Sequence, residues 1–251
     1  MNANELLTFA KISEITYENP DTSVKKFNMF GYSVIKFFNK SGAQAYLLTD
    51  GTNNVLSFRG TEVKEKSDVV ADLKMHKVFE IDYASGISKG QVHQGFRDEL
   101  DKLWPDIQKE LSINRNIPLY ITGHSLGAAM ATIAASRISN KVEALVTFGS
   151  PRVGTKAFIE NSKVLHFRVQ NNNDDVPKVP PLLFGFRHHG TNVYLSYEGK
   201  IKEYNIWQRI IDMLRSRKKA LSKGERFKGI KDHMMSNYIK KLSNLTQNGT
   251  P

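Results

Sequence analysis

The stretch ITGHSLGAAMATIAA, residues 121–135, constrains this chain more than any other. Two β-favouring residues, Ile121 and Thr122, lead into Gly123-His124-Ser125-Leu126-Gly127, and a run of small and apolar residues follows. That order is strand, sharp turn, helix. A serine at such a turn is held with its hydroxyl above the edge of a sheet, and the flanking glycines let strand and helix approach closely. A lone G-x-S-x-G match also describes ordinary tight turns. Here the strand and helix that the reactive reading needs are both legible. The helix that begins at Leu126 points its free N–H groups toward the serine, a setting that favours an oxyanion.

The rest of the chain reads as alternating strands and helices. The pattern predicts a helix over 3–18 and strands over 30–38, 43–49 and 53–59, with DGTNN as the hairpin turn between the last two. A helix follows over about 95–112, with Phe96, Leu100, Leu103, Ile107 and Leu111 on one face; Pro105 inside it predicts a kink or a break. After the Ser125 unit come a strand over 142–148, a helix near 155–161 and a strand over 163–169. A hairpin over 190–205 and helices around 204–221 and 231–245 complete the chain. Strands that alternate with helices argue for a largely parallel sheet with helices on both faces. We therefore expect a single α/β domain over 1–251.

Chemistry in such a sheet gathers at the carboxyl ends of the strands. Beyond strand 163–169 lies QNNNDDVPKVPP, where either Asp174 or Asp175 offers a carboxylate to orient a histidine, unless the loop is a solvated turn. His233, in KDHMM, is expected at the first turn of the last helix. Ser125, an aspartate and His233 then occur in the chain order of α/β-hydrolases. The other six histidines read as structural or solvated. His188-His189 has no further ligand at metal-binding spacing, so neither a metal nor any other cofactor is expected. Thr61, just past strand 53–59, and Leu126, just past the serine, are the candidate oxyanion donors.

In order along the chain, SFRGT (57–61), VVADL (69–73), VHQGF (92–96), TGHSLGAAMA (122–131), TFGSPRVG (147–154), DDVPKVPP (174–181) and the pair Asp232-His233 resemble the class 3, fungal-type lipases. The resemblance implies the α/β-hydrolase fold. It selects Asp174, three residues before the proline, over Asp175. It also implies Ser125 as nucleophile, His233 as base, Thr61 and Leu126 as oxyanion donors, and a lipid ester as substrate. Two departures stand out. Ala128 replaces a common glycine, and the lid-like segment over about 61–76 is rich in charge and lacks a bulky aromatic. A phospholipase A1 or a soluble short-chain esterase is the nearest alternative activity.

The chain contains no cysteine and carries a net charge of +11. Residues 200–251 hold thirteen basic residues against four acidic ones, so +9 of that charge belongs to the last fifth of the chain. Within it, a basic amphipathic insertion over about 204–230 carries Ile206, Trp207, Ile210, Ile211 and Leu214 in a stripe. Two readings follow: a helix packed on the core with a solvated basic face, or a helix resting on an anionic membrane surface. A basic membrane-binding module on a hydrolase scaffold is the corresponding non-enzymatic reading. No nucleic-acid signature accompanies the charge, and no nucleic-acid partner is expected. The opening residues lack a basic region followed by an apolar one. With the lack of cysteine, this gives the expectation of a cytoplasmic rather than a secreted protein.

Overall fold

The structure is a computed structural model that describes residues 1–60, 76–81, 86–114, 116–138, 141–222 and 228–247. Asn2 caps the first helix, α1 (Ala3–Ile15), through a reciprocal bond with Glu5. A second helix, α2 (Pro20–Met29), follows. It was not expected from the sequence, although Asn19-Pro20 carries its signal: the asparagine side chain accepts from the Thr22 N–H, and proline occupies the first turn. Strands β1 (Ser33–Lys40), β2 (Ala43–Thr49) and β3 (Asn54–Phe58) run as an antiparallel meander. In β2, Ala45 and Leu47 face one layer of the core while Tyr46 and Leu48 face the other. Period-two alternation thus serves a sheet buried on both sides.

Strands β4 (Lys77–Ile81) and β5 (Ser88–His93) form an antiparallel pair, and α3 (Gln94–Ile113) leaves β5 directly. Helix α3 runs through Pro105 without a break. The proline lies on the exposed face of the helix, away from the Leu103 and Ile107 side that packs on the core. Then come β6 (Leu119–His124), α4 (Leu126–Arg137), β7 (Val142–Phe148), β8 (Gly154–Thr155), α5 (Lys156–Asn161) and β9 (His166–Asn171). The chain continues through β10 (Phe186–Arg187), β11 (Thr191–Leu195), β12 (Ile201–Lys202), α6 (Ile206–Ser222), α7 (Lys228–His233) and α8 (Met235–Gln247).

The main sheet has the order β1-β2-β3-β6-β7-β9-β11-β12, and its five central strands from β3 to β11 are parallel. A smaller sheet, β10-β8-β5-β4, was not foreseen. Helices α3 and α4 bury Leu100, Leu103, Ile107 and the alanines of α4 on one face of the main sheet. Helices α1, α2 and α8 bury Leu6, Phe9, Phe27, Tyr238 and Leu242 on the other. This is the α/β-hydrolase fold in a single domain, with strand carboxyl ends that converge where β6 turns into α4. Residues 61–75 of the lid-like segment, Thr61 included, and residues 223–227 of the basic insertion lie outside the described residues. No helix among the described residues is long and apolar enough to cross a membrane.

Candidate active site

Ser125 joins β6 to α4 with φ 60° and ψ −126°, a conformation a non-glycine residue adopts only under constraint. The constraint comes from both sides. The Ser125 N–H donates to the Phe148 carbonyl at 3.0 Å. A Cβ at Gly123 would come 2.6 Å from the Gly127 carbonyl carbon, and one at Gly127 would come 2.8 Å from the Arg59 carbonyl carbon. The two glycines of the motif are therefore required by backbone packing, one against the helix and one against the end of β3. The turn so fixed is a nucleophile elbow.

Ser125 Oγ lies 2.9 Å from His233 Nε2. His233 Nδ1 lies 2.9 and 2.8 Å from the two carboxylate oxygens of Asp174. The carboxylate admits one polarity: Nδ1–H donates to Asp174, which leaves Nε2 to accept the serine proton. All three residues are buried. Gly149, at the end of β7, makes room for them. Its φ is +55°, and a Cβ there would lie 2.7 Å from Asp174 Oδ2 and 2.8 Å from His233 Nδ1.

The loop that carries Asp174 is not a solvated turn. Asn171, Asn172, Asn173 and Asp174 are fully buried. Besides His233, Asp174 accepts from the Val176 N–H at 2.9 Å and the Tyr238 hydroxyl at 2.6 Å. Burial first, and the adjacent Asp174 carboxylate second, hold the Tyr238 phenol well above its ordinary range, so it stays a donor. Asp175 points outward instead and pairs with Lys178 at 2.5 Å and Arg217 at 3.6 Å.

His233 closes the short helix α7; it does not lie in the first turn of α8, as the sequence had suggested. Its main chain is pinned from below. The His233 carbonyl accepts from His124 Nε2 at 2.7 Å, and His124 Nδ1 in turn accepts from the Tyr17 hydroxyl at 2.8 Å. The His124 and His233 rings lie 4.4 Å apart. With both nitrogens engaged, His124 has no lone pair for the serine. The structural role expected of it holds, but it is a role in this site. Asn171 adds a second tie, donating from Nδ2 to the Asp232 carbonyl at 2.8 Å.

Leu126 opens α4, and as the first helical residue its N–H has no acceptor within the helix. The backbone just before Thr61 comes close to the elbow: a Cβ at Gly60 would lie 3.2 Å from Ser125 Cβ. Among the other histidines, His166 and His189 join Nδ1 to Nδ1 at 3.0 Å, and His166 Nε2 meets the Thr147 hydroxyl at 2.7 Å. Burial above all depresses both pKa values, so the two rings are a neutral structural pair. Chemically, the Ser125–His233–Asp174 array can transfer the hydroxyl proton to the ring as the oxygen attacks an electrophile.

The profile of the family described as lipase (class 3) matches residues 55–184, just over half of the chain. The chain belongs to the class 3 lipase family. A secreted mono- and diacylglycerol lipase of Fusarium solani is 30% identical over 178 residues, covering 66% of this chain and 52% of the relative. A lipase of Rhizopus niveus is 30% identical over 164 residues, covering 60% of this chain and 38% of the relative. The native propeptide complex of Rhizomucor miehei lipase superposes with a TM-score of 0.65 at 25% identity, over 76% of this chain and 68% of that one. The chain thus spans about half the length of the first relative and less of the second. The expected cytoplasmic location is corrected here, because the Fusarium solani relative is secreted. The physical reason is that 251 residues build enough core to stand without disulfides, so a lack of cysteine carries no information on compartment.

Proposed function

We propose that the protein is a serine hydrolase of lipase type that cleaves acyl esters of glycerolipids through an acyl-enzyme. The observation that carries this reading is the hydrogen-bonded chain from Ser125 through His233 to Asp174 at the elbow of a class 3 lipase fold. His233 takes the proton of Ser125 as Oγ attacks the acyl carbonyl. Asp174 holds the ring in the Nδ1–H tautomer and stabilises the imidazolium. The Leu126 N–H receives the oxyanion, with the Thr61 N–H as its partner, each donor worth about 3–4 kcal/mol in the transition state. His233 then protonates the leaving alcohol, and water repeats the sequence on the acyl-enzyme. Every proton in this cycle moves between substrate, water and these side chains. Peripheral contact with an anionic membrane surface belongs to the same reading, since an insoluble ester is met at its interface.

The test is release of p-nitrophenol from butyrate and palmitate esters by the wild type and Ser125→Ala. We expect the variant to lose at least about a thousandfold in kcat/KM. Equal turnover by both proteins would remove the serine from the chemistry. Inactivity of the wild type on both esters would favour a binding module. Fatty acid and lysolipid release from mixed glyceride and phospholipid vesicles then separates lipase from phospholipase A1.

A further inference from the structure

Helix α6 is turned inside out relative to its hydrophobic pattern. The residues it buries are Asp212, Ser216 and Ala220, one per turn along one face. Its bulky apolar residues face the other way: Trp207 is 71% exposed and Leu214 59%, with Ile206, Ile211 and Leu221 also exposed. At about 100° per residue, Trp207, Leu214 and Leu221 lie opposite the buried face. The reading of this segment as a core-packed helix with a solvated basic face is therefore overturned.

What holds the helix is polar. The Asp212 carboxylate, 7% exposed, accepts from the Tyr194 hydroxyl at 3.0 Å, the Tyr197 N–H at 2.8 Å and the Asn172 side-chain amide. Asn172 is two residues from Asp174, and Arg217 reaches Asp175. The inner face of α6 is thus bonded to the loop that supplies the triad carboxylate. Its outer face offers an aromatic and aliphatic stripe to whatever lies beyond.

We propose that the outer face of α6 docks the protein on an anionic phospholipid surface. The inference rests on the lipid-ester reading above and names the element that meets the lipid. Charge complementarity selects the occupant. Arg215 and Lys218 are exposed beside the stripe and make no ion pair among the described residues, while Arg217 pairs with Asp175 and Lys219 lies over the Tyr197 ring on the inner flank of the helix. The last fifth of the chain carries +9, so a second copy of this face would be repelled, while anionic headgroups would be attracted. Apolar side chains in the acyl boundary with cationic ones among the headgroups are what a helix lying in a membrane interface requires.

Trp207 is a built-in reporter. The other tryptophan, Trp104, is buried beneath the Arg137 guanidinium, 4.9 Å from its ring centroid. The experiment uses the full chain in a Ser125→Ala background, so that vesicles stay intact. It mixes the protein with vesicles of phosphatidylcholine alone or with about a third phosphatidylglycerol. Fluorescence and co-sedimentation are read together. We expect a blue shift and sedimentation with the anionic vesicles. Leu214→Ser with Leu221→Ser should weaken partitioning at least about tenfold, as two lost apolar contacts dictate. Arg215→Glu with Lys218→Glu should weaken anionic binding to a similar extent and leave the weak binding to phosphatidylcholine unchanged.

Wild-type-like partitioning by both double variants overturns the proposal, as does failure of the parent to bind. A blue shift that depends on protein concentration without lipid, with a dimer in sedimentation, would also overturn it and assign the face to a second copy. The same substitutions in the Ser125 background, assayed on a soluble butyrate ester, report whether the fold is intact. Ester turnover without docking defeats this proposal alone; docking without ester turnover defeats only the proposed activity.

Discussion

Helices α6 and α8 invite comparison. Both are amphipathic, both lie in the basic last fifth of the chain, and both are tied to the segment that leads from β9 to Asp174. Helix α8 turns Met235, Tyr238, Leu242 and Leu245 inward against α1 and the sheet. Helix α6 turns Asp212, Ser216 and Ala220 inward and its large apolar residues outward. Periodicity shows that an apolar stripe exists; it does not say which way the stripe faces. The polar side decides that. A carboxylate that finds three donors is stable in the interior, whereas one without them is not. Asp212 has its three donors, and α6 follows it.

The sharpest way to break this comparison is to truncate one leucine on each helix. Leu242→Ala should cost about 2–5 kcal/mol, because it opens a cavity in a packed layer. Leu214→Ala should stay within about 0.5 kcal/mol, because the residue already faces outward. Denaturant unfolding measures both. Similar costs for the two would mean that α6 packs on the core after all.

A smaller effect is expected from Asp212→Ala. It leaves the Tyr194 hydroxyl and the Tyr197 N–H without their acceptor and the Asn172 amide with the Tyr194 oxygen alone, at a cost of about 1–3 kcal/mol. The loss should be local. Amide exchange should quicken in α6 and in the Tyr194–Tyr197 segment, while α8 keeps its protection. Burial and then the Asp212 carboxylate raise the Tyr194 phenol, and the substitution should bring its titration back toward the ordinary range. Unchanged exchange in α6 would show that something other than Asp212 holds the helix.

How much of this was legible in the sequence follows the range of the forces involved. Strand β7 was read with its observed bounds, and the elbow with its strand and helix, because alternation and paired glycines act over a few residues. No local signal joins Ser125, Asp174 and His233: their order was read from the chain order of α/β-hydrolases, and choosing Asp174 over Asp175 needed the family pattern. Strands β4 and β5 were not foreseen. Ser88–His93 holds one β-branched residue, and its place is set by pairing with β4 and with Gly154 of β8, which is distant in sequence. Tyr17, Gly149 and Tyr238 left no local mark as site residues. They matter because three separate segments converge on one imidazole and one carboxylate. The direction of α6 was likewise beyond periodicity, since the donors to Asp212 come from two other segments.

Tyr238 gives the finest test, because it is where the inward face of α8 meets the chemistry. Its hydroxyl donates to Asp174 Oδ2 at 2.6 Å and accepts from the Asn171 N–H at 3.0 Å. Tyr238→Phe keeps the ring, which packs edge-on to Phe148 with centroids 5.9 Å apart. It removes one of the donors to Asp174 and leaves the Asn171 N–H without this acceptor. The stability cost should be about 1 kcal/mol. Both carboxylate oxygens still face His233 Nδ1, and Val176 N–H still fixes Oδ1, so the ring should keep its tautomer. We therefore expect kcat on a soluble ester to fall by about three- to tenfold with KM unchanged, the pattern of an interaction that matters only as the imidazolium forms. Ile210→Ala on α6, assayed the same way, should leave both constants alone. If Tyr238→Phe lowered stability and left kcat intact, the hydroxyl would serve the fold alone, and the inward face of α8 would have no more to do with the reaction than the outward face of α6.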